Sequence, residues 1–288
     1  MPPGVKFAFT DDGDIAYVDH GEGPPALFVH GVFLNSHLWR HVIEGVADVR
    51  RCIAVDLLAH GATRIAADQD VSFDAQARML EGVCRALGLE QVDLVGNDSG
   101  GGIAQIFAAR HPDRIRTLTL TNSDVHDNWP PPALGPLLRA VAQGRLADIG
   151  RGLLADVGFA RRFFGPGLEH PERISPETFH AYLAPLFANA EATANLERFF
   201  ASIDCRQTVA IEPLLKRLMA PTLVVWGTDD IFFPLKWAYW LRDTIPGCRE
   251  VIALKGARLF FPEERPETLA SALRDHWQAT GPLARRSA

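Results

Sequence analysis

Three absences narrow the reading of this sequence. None of its four cysteines, Cys52, Cys84, Cys205 and Cys248, stands in a CxxC pair, which removes the zinc ribbon and the redox dithiol and leaves reduced, mostly buried thiols. No apolar run approaches the roughly 18 residues that a membrane-spanning helix needs, and residues 1–6 lack the apolar stretch of a secretory leader. Basic residues are outnumbered, 29 against 35 acidic, for a net charge of −6, the wrong sign for capturing nucleic acid or anionic lipid. The expectations are a cytoplasmic protein with a small, apolar molecule as substrate, with no metal, no cofactor, no nucleic acid and no membrane as partner. A homodimer is left open.

What is present is a chain of 288 residues, 47% hydrophobic and 22% charged, long enough for a sizeable core and ordinary for a folded globular protein. Short β-branched or apolar runs alternate with longer amphipathic ones, the pattern of parallel strands joined by crossover helices. Residues 5–10 and 14–20 flank Asp-Asp-Gly and read as a hairpin; further strands are predicted at 26–29, 52–56, 92–95, 117–122, 222–226 and 250–254. Helices are expected over 71–87, 101–110 and 265–277. From about residue 127 to 218 no buried strand appears, and helical stretches are broken by Trp129-Pro-Pro-Pro132, Gly165-Pro-Gly167 and Ser175-Pro176, so a helical lid is predicted there. The core is then 1–126 with 219–288, and the tail 281–288 is expected to be frayed.

In open α/β sheets the ligand crevice lies beyond the carboxyl ends of the strands. After the fifth strand comes Gly96-Asn97-Asp98-Ser99-Gly100, which resembles a nucleophile elbow, a strained turn that needs small residues two before and two after its apex. The glycines bracket Asp98, not Ser99. Read without context, the same residues are a glycine turn with an aspartate capping a helix. Phe28-Val29-His30-Gly31-Val32-Phe33 resembles the His-Gly segment of the α/β-hydrolase superfamily, Asp56–Gly61 its loop after the fourth strand, and Trp226-Gly227-Thr228-Asp229-Asp230 its acid loop. The resemblance covers essentially the whole chain and is closest to the branch with aspartate at the elbow, which contains epoxide hydrolases and haloalkane dehalogenases. It implies an α/β-hydrolase fold with a mostly parallel eight-stranded sheet, the Val32 and Ser99 N–H groups as oxyanion hole, and Asp230 as the orienting acid.

A carboxylate attacks saturated carbon to give an alkyl ester, which a histidine-activated water must then cleave. The family places that histidine in Gly-Ala-x-His-Phe; here Gly256-Ala257-Arg258-Leu259-Phe260 puts leucine in its position. His126, just past the sixth strand, is the candidate replacement base, and Asp124 beside it is a second candidate acid. The halide-holding tryptophan and asparagine of dehalogenases are replaced by Ser99 and Val32, and the lid offers Tyr182 alone where epoxide hydrolases have two tyrosines. Phe33, Trp129, Tyr182 and Leu259 are assigned to the substrate pocket. Three readings follow: a hydrolase with Asp98 as nucleophile and His126 or an ordered water as base; a non-hydrolytic enzyme with Asp98 as general acid and base; and a ligand-binding homologue without turnover.

Overall fold

Strand β5 (Val92–Asp98) is buried along its whole length, as a run of Val, Leu and Gly between two neighbouring parallel strands should be. In the computed structural model, which describes residues 4–280, it lies at the centre of one eight-stranded sheet. The other strands are β1 (Lys6–Thr10), β2 (Gly13–His20), β3 (Pro25–Val29), β4 (Arg51–Val55), β6 (Ile115–Ser123), β7 (Thr222–Gly227) and β8 (Cys248–Leu254). Their spatial order is β1-β2-β4-β3-β5-β6-β7-β8; β2 runs antiparallel to β1 and β4, and the remaining pairs are parallel. All eight predicted strands are present. β5 and β6 run further than expected, to Asp98 and Ser123, because the two pair as far as Asp98 beside Ser123. The tail 281–288 lies outside the described residues.

Helices α1 (Arg40–Glu44), α2 (Phe73–Ala86), α3 (Ser99–Arg110), α11 (Lys236–Thr244), α12 (Phe261–Glu264) and α13 (Pro266–Ala279) belong to the stretches around the strands. Between β6 and β7 the chain is helical without a strand: α4 (Gly135–Ala142), α5 (Leu146–Ala155), α6 (Val157–Phe164), α7 (Pro176–Leu183), α8 (Ala190–Ala201), α9 (Arg206–Val209) and α10 (Glu212–Leu215), with short 3-10 turns. Prolines start several of these elements: Pro132 opens a 3-10 turn, and Pro136, Pro166 and Pro176 sit in first turns, where a missing N–H costs nothing. None of the helices is long and apolar enough to cross a membrane among the described residues. The cysteines are free, with Cys52, Cys84 and Cys248 buried.

The chain passes from β3 out to β4 and returns to β5 on the other side, so the crevice between β3 and β5 is the topological switch point at which α/β sheets bind ligands. The register sets Val29 beside Gly96 there, and hence residues 31–33 beside the end of β5.

The helical segment is fastened to the core by a short strap after β8. Arg40 of α1 makes two hydrogen bonds to Glu263 of α12, which also accepts from the Tyr182 hydroxyl of α7. Arg258 donates to the carbonyls of Gly165 and Leu168, and Glu264 accepts the main-chain N–H groups of Glu169 and His170. Removing Glu263 from this partly buried pair leaves Arg40 and the Tyr182 hydroxyl short of an acceptor, at about 1–3 kcal/mol. Glu263→Ala is therefore expected to lower stability by about that amount in denaturant titration, with faster hydrogen exchange in α7 while β3, β5 and β6 stay protected. Equal exchange in α7 of both proteins would show that the strap does not hold it.

Candidate functional site

Asp98 ends β5 in a backbone conformation that side chains avoid, φ 56° and ψ −132°, costing on the order of 1–3 kcal/mol. The turn closes only because its neighbours lack side chains. A Cβ on Gly100 would lie 2.3 Å from the carbonyl oxygens of Val29 and His30, and one on Gly96 2.7 Å from the oxygen of Gly100. Asp98 itself fills the space that a side chain on Gly31 would need, since a Cβ there would come within 2.2 Å of its Oδ2. The apex is Asp98, and Ser99 begins α3.

The Val32 N–H donates to Asp98 Oδ2 at 3.1 Å, and the Ser99 N–H also supports the carboxylate. Both main-chain groups expected as oxyanion donors thus converge on this side chain. The other oxygen, Oδ1, accepts no hydrogen bond among the described residues. Burial outweighs the two N–H groups and, with the nearby charge of Asp230, pushes the Asp98 carboxyl up to about 7.

Asp230 follows β7 and is buried. Its Oδ1 accepts the Phe232 N–H at 2.8 Å, and its Oδ2 accepts the side-chain amide of Asn122 at 2.7 Å. Asn122 in turn accepts the Gly227 N–H at 2.6 Å, tying β6 to β7. Burial raises Asp230 to about 6 despite these donors and the positive Arg258. Asn122 was legible only as a strand-end residue, because its partners lie more than a hundred residues away. Asp124 joins the group: it is wholly buried, its main chain donates to the Asp98 carbonyl at 3.4 Å, and it is held well above the usual carboxylate range by burial and by Asp98.

A cavity of about 360 Å³ lies between strand ends and helical segment. Its wall is apolar: Val32 and Phe33 from the loop after β3, Phe232 after β7, Phe260 before α12, and Phe159, Phe163 and Phe164 of α6 are part of it. Asp98 is not itself part of the wall; Val32 connects it to the cavity, lining that space while its N–H holds the carboxylate. Phe33, at φ 62°, packs edge-on against Phe163 at 5.2 Å.

Several expected residues are placed elsewhere. His126 turns to Glu212 of α10, with Nε2 3.0 Å from the carboxylate, and lies over Trp240 at 5.0 Å; it joins neither the cavity wall nor the groups that set the Asp98 charge. Trp129 is corrected from pocket to core, stacked on Phe73 at 4.4 Å and 19° because burying two large faces together is favoured. Tyr182 is corrected likewise: its hydroxyl is engaged by Glu263 and Arg40 in the strap. Leu259 is buried beside Gly167, with its carbonyl accepting from the Asn97 side chain at 3.0 Å; Phe260 and Gly167 form the cavity wall at that point. No group of three or more metal-ligating side chains occurs among the described residues.

The class that this elbow and sheet define is borne by sequence as well. Residues 24–265 match the family described as alpha/beta hydrolase fold, and the chain belongs to that family. A protein of Pseudomonas sp. strain CF600 named 2-hydroxymuconate semialdehyde hydrolase is 41% identical over 238 residues, 79% of this chain and 77% of its own. Haloalkane dehalogenase 2 of Mycobacterium tuberculosis is 29% identical over 272 residues, 91% and 90% of the two chains. A cis-3-alkyl-4-alkyloxetan-2-one decarboxylase of Xanthomonas campestris pv. campestris is 26% identical over 296 residues, 94% and 92%. The chain is a hydrolase-like enzyme related to these proteins.

A carboxyl raised from 3.8 to about 7 in the native state holds its proton there when the unfolded chain has lost it. The stabilisation is complete below about pH 4 and is lost as the pH rises through 7. Relative to the wild type, Asp98→Asn is expected to gain on the order of 4 kcal/mol between pH 4 and pH 8, read from paired denaturation curves. A constant difference across that range would place the Asp98 carboxyl at its ordinary value.

Proposed function

We propose that residues 127–218 form a lid over an α/β core of residues 1–126 and 219–288, and that the enzyme uses Asp98 as general acid and base on a small apolar substrate held between them. The reaction is an isomerisation, elimination or cyclisation that needs no activated water. The observation that carries this reading is the company Asp98 keeps: burial, Asp230 and two main-chain N–H groups set its proton affinity, with no imidazole among them. A carboxyl that titrates near neutrality is suited to giving and taking protons. Hydrolysis through an alkyl ester would need a base for water, yet Leu259 fills the family's position and His126 is committed to Glu212. The dehalogenase relatives do not carry their substrate over, since Ser99 and Val32 stand where halide-binding side chains are expected. One relative is named a decarboxylase, so the likeness is not confined to proteins named for hydrolysis.

In the step itself Asp98 Oδ1 takes a proton from a substrate carbon. The C–H bond breaks, the O–H bond forms, and the electron pair enters a new double bond or expels a leaving group. In an isomerisation Asp98 returns a proton to another carbon, its O–H having exchanged with solvent in some of the turnovers, and the carboxylate is restored. The Val32 N–H holds Oδ2 and the Ser99 N–H supports the carboxylate throughout, which keeps it aimed, and the apolar wall excludes competing water.

The test uses two kinds of probe. Small apolar ketones and alkenes incubated in heavy water are expected to gain solvent deuterium in the presence of the enzyme, read by mass spectrometry, with a loss of at least about 100-fold in Asp98→Asn. A reactive epoxide such as styrene oxide is expected to leave no ester on the Asp98 peptide, and Leu259→His is expected to weaken exchange by placing a polar group in an apolar setting. A stable adduct on Asp98, cleared when histidine is installed at 259, would overturn proton transfer in favour of nucleophilic attack.

A further inference from the structure

Asp124 is the buried titratable group for which the reading above has no use. Its side chain is fully enclosed and neither carboxylate oxygen has a hydrogen-bond partner among the described residues. An ionised carboxylate without a single donor costs many kcal/mol in an apolar interior, so such a group keeps its proton. The serine next to the elbow reaches both acids: the Ser99 N–H supports the Asp98 carboxylate, while its hydroxyl lies beside Asp124 without a bond of good geometry to it. The Ser99 hydroxyl and the Ser123 hydroxyl are themselves buried and unpartnered. β5 and β6 enforce the approach, because Asp98 pairs with Ser123 and the Asp124 N–H reaches the Asp98 carbonyl. The approach is close on the helix side too, since a Cβ on Gly102 would lie 3.1 Å from Asp124 Cβ.

We propose that Asp98 and Asp124 form an acid pair, linked through Ser99, that holds one proton between them at neutral pH. Asp124 is the positioning member: it touches no substrate, and by keeping the resident proton it lets Asp98 enter each cycle ionised, as the base. Once Asp98 has taken a proton from carbon, both acids are neutral, and returning a proton to substrate restores the single-proton state. Nothing else is consumed. The ionisable groups facing Asp124 are Asp98 at the end of β5 and Asp230 after β7, both negative when ionised, and each disfavours release of the shared proton.

The proposal rests on Asp98 acting by proton transfer, and its test needs no substrate, so the two can fail separately. Infrared titration of the full chain follows the C=O band of protonated carboxyls from acid to alkaline pH. The wild type is expected to show raised steps from Asp230, Asp98 and Asp124, the uppermost well above neutrality. In Asp124→Asn the uppermost step disappears and those of Asp230 and Asp98 remain below it. In Asp98→Asn the carboxyl of Asp124 titrates lower than the wild-type uppermost step, because its negative neighbour has gone; this second variant gives the answer even if the first does not fold. An uppermost step that persists unchanged in either variant, or a wild type with both carboxyls of the pair in the ordinary range, would overturn the pair. Where the deuterium exchange is measurable, Asp124→Asn is expected to move its pH profile, a shift that lost packing alone would not cause.

Discussion

The close approach of β3, β5 and α3 is the constraint from which the rest of the site follows. Asp98 is held at positive φ with its side chain against the bare Cα of Gly31, and the carbonyls of Val29 and His30 crowd Gly100. Any larger residue at 31 or 100 would have to displace backbone or the carboxylate itself. That geometry aims the Val32 N–H at Asp98 and starts α3 at Ser99, so one tight turn supplies both the buried carboxyl and the donors that hold it. It also drives the carboxyl into an apolar interior, where donors and helix N-terminus do not fully offset the lost hydration. The elevated proton affinity follows from the packing that makes the turn possible.

The segment after β8 has a different employment from the one its family position implies. Where an imidazole is expected, the main chain of Leu259 is clamped by Asn97, Phe260 donates from its N–H to the Gly167 carbonyl at 2.9 Å, and Arg258, Glu263 and Glu264 reach into the helical segment. The residues 258–264 act as a fastening between core and helices, and the Phe260 ring closes part of the cavity. A histidine at 259 would bring a polar ring into a place now packed for a leucine.

The sheet was legible in the sequence because its signals are local. The eight apolar runs, the Asp-Asp-Gly hairpin and the glycine bracket at 96 and 100 each declare themselves within ten residues, and the steric reason offered for the bracket is the one that the carbonyls of Val29 and His30 impose. The side chains of the helical segment were not legible. As the tyrosine of that segment Tyr182 points to the pocket, yet its partner Glu263 lies 81 residues on; His126 has the position of a base, and nothing near it announces Glu212, 86 residues on. Trp129 gave no sign of Phe73. An aromatic or a histidine near a strand end has the right address for a pocket, but which surface it covers depends on what folds over it from far along the chain. Asn122 illustrates the converse, a residue without a motif that orients Asp230 through two strands.

Three buried carboxyls within one strand-end cluster are a poor way to stabilise a protein. Asp230 is compensated by Asn122 and the Phe232 N–H, and Asp98 by two N–H groups, but Asp124 has only the Ser99 hydroxyl beside it, without a bond of good geometry. A chain kept only as a ligand-binding shell would gain stability by replacing any of them with an amide or an aliphatic residue of similar size, since uncompensated buried polar groups cost about 1–3 kcal/mol each and charged ones more. The strained φ of Asp98 adds to the same cost. The apolar cavity by itself needs none of this, because its wall is built from Phe and Val side chains that would enclose a ligand equally well over a glycine turn. The arrangement makes physical sense if the proton affinity of the cluster is what the fold supplies: burial makes the carboxyls reluctant to ionise, their mutual repulsion separates their titrations, and the main-chain donors let Asp98 ionise before Asp124.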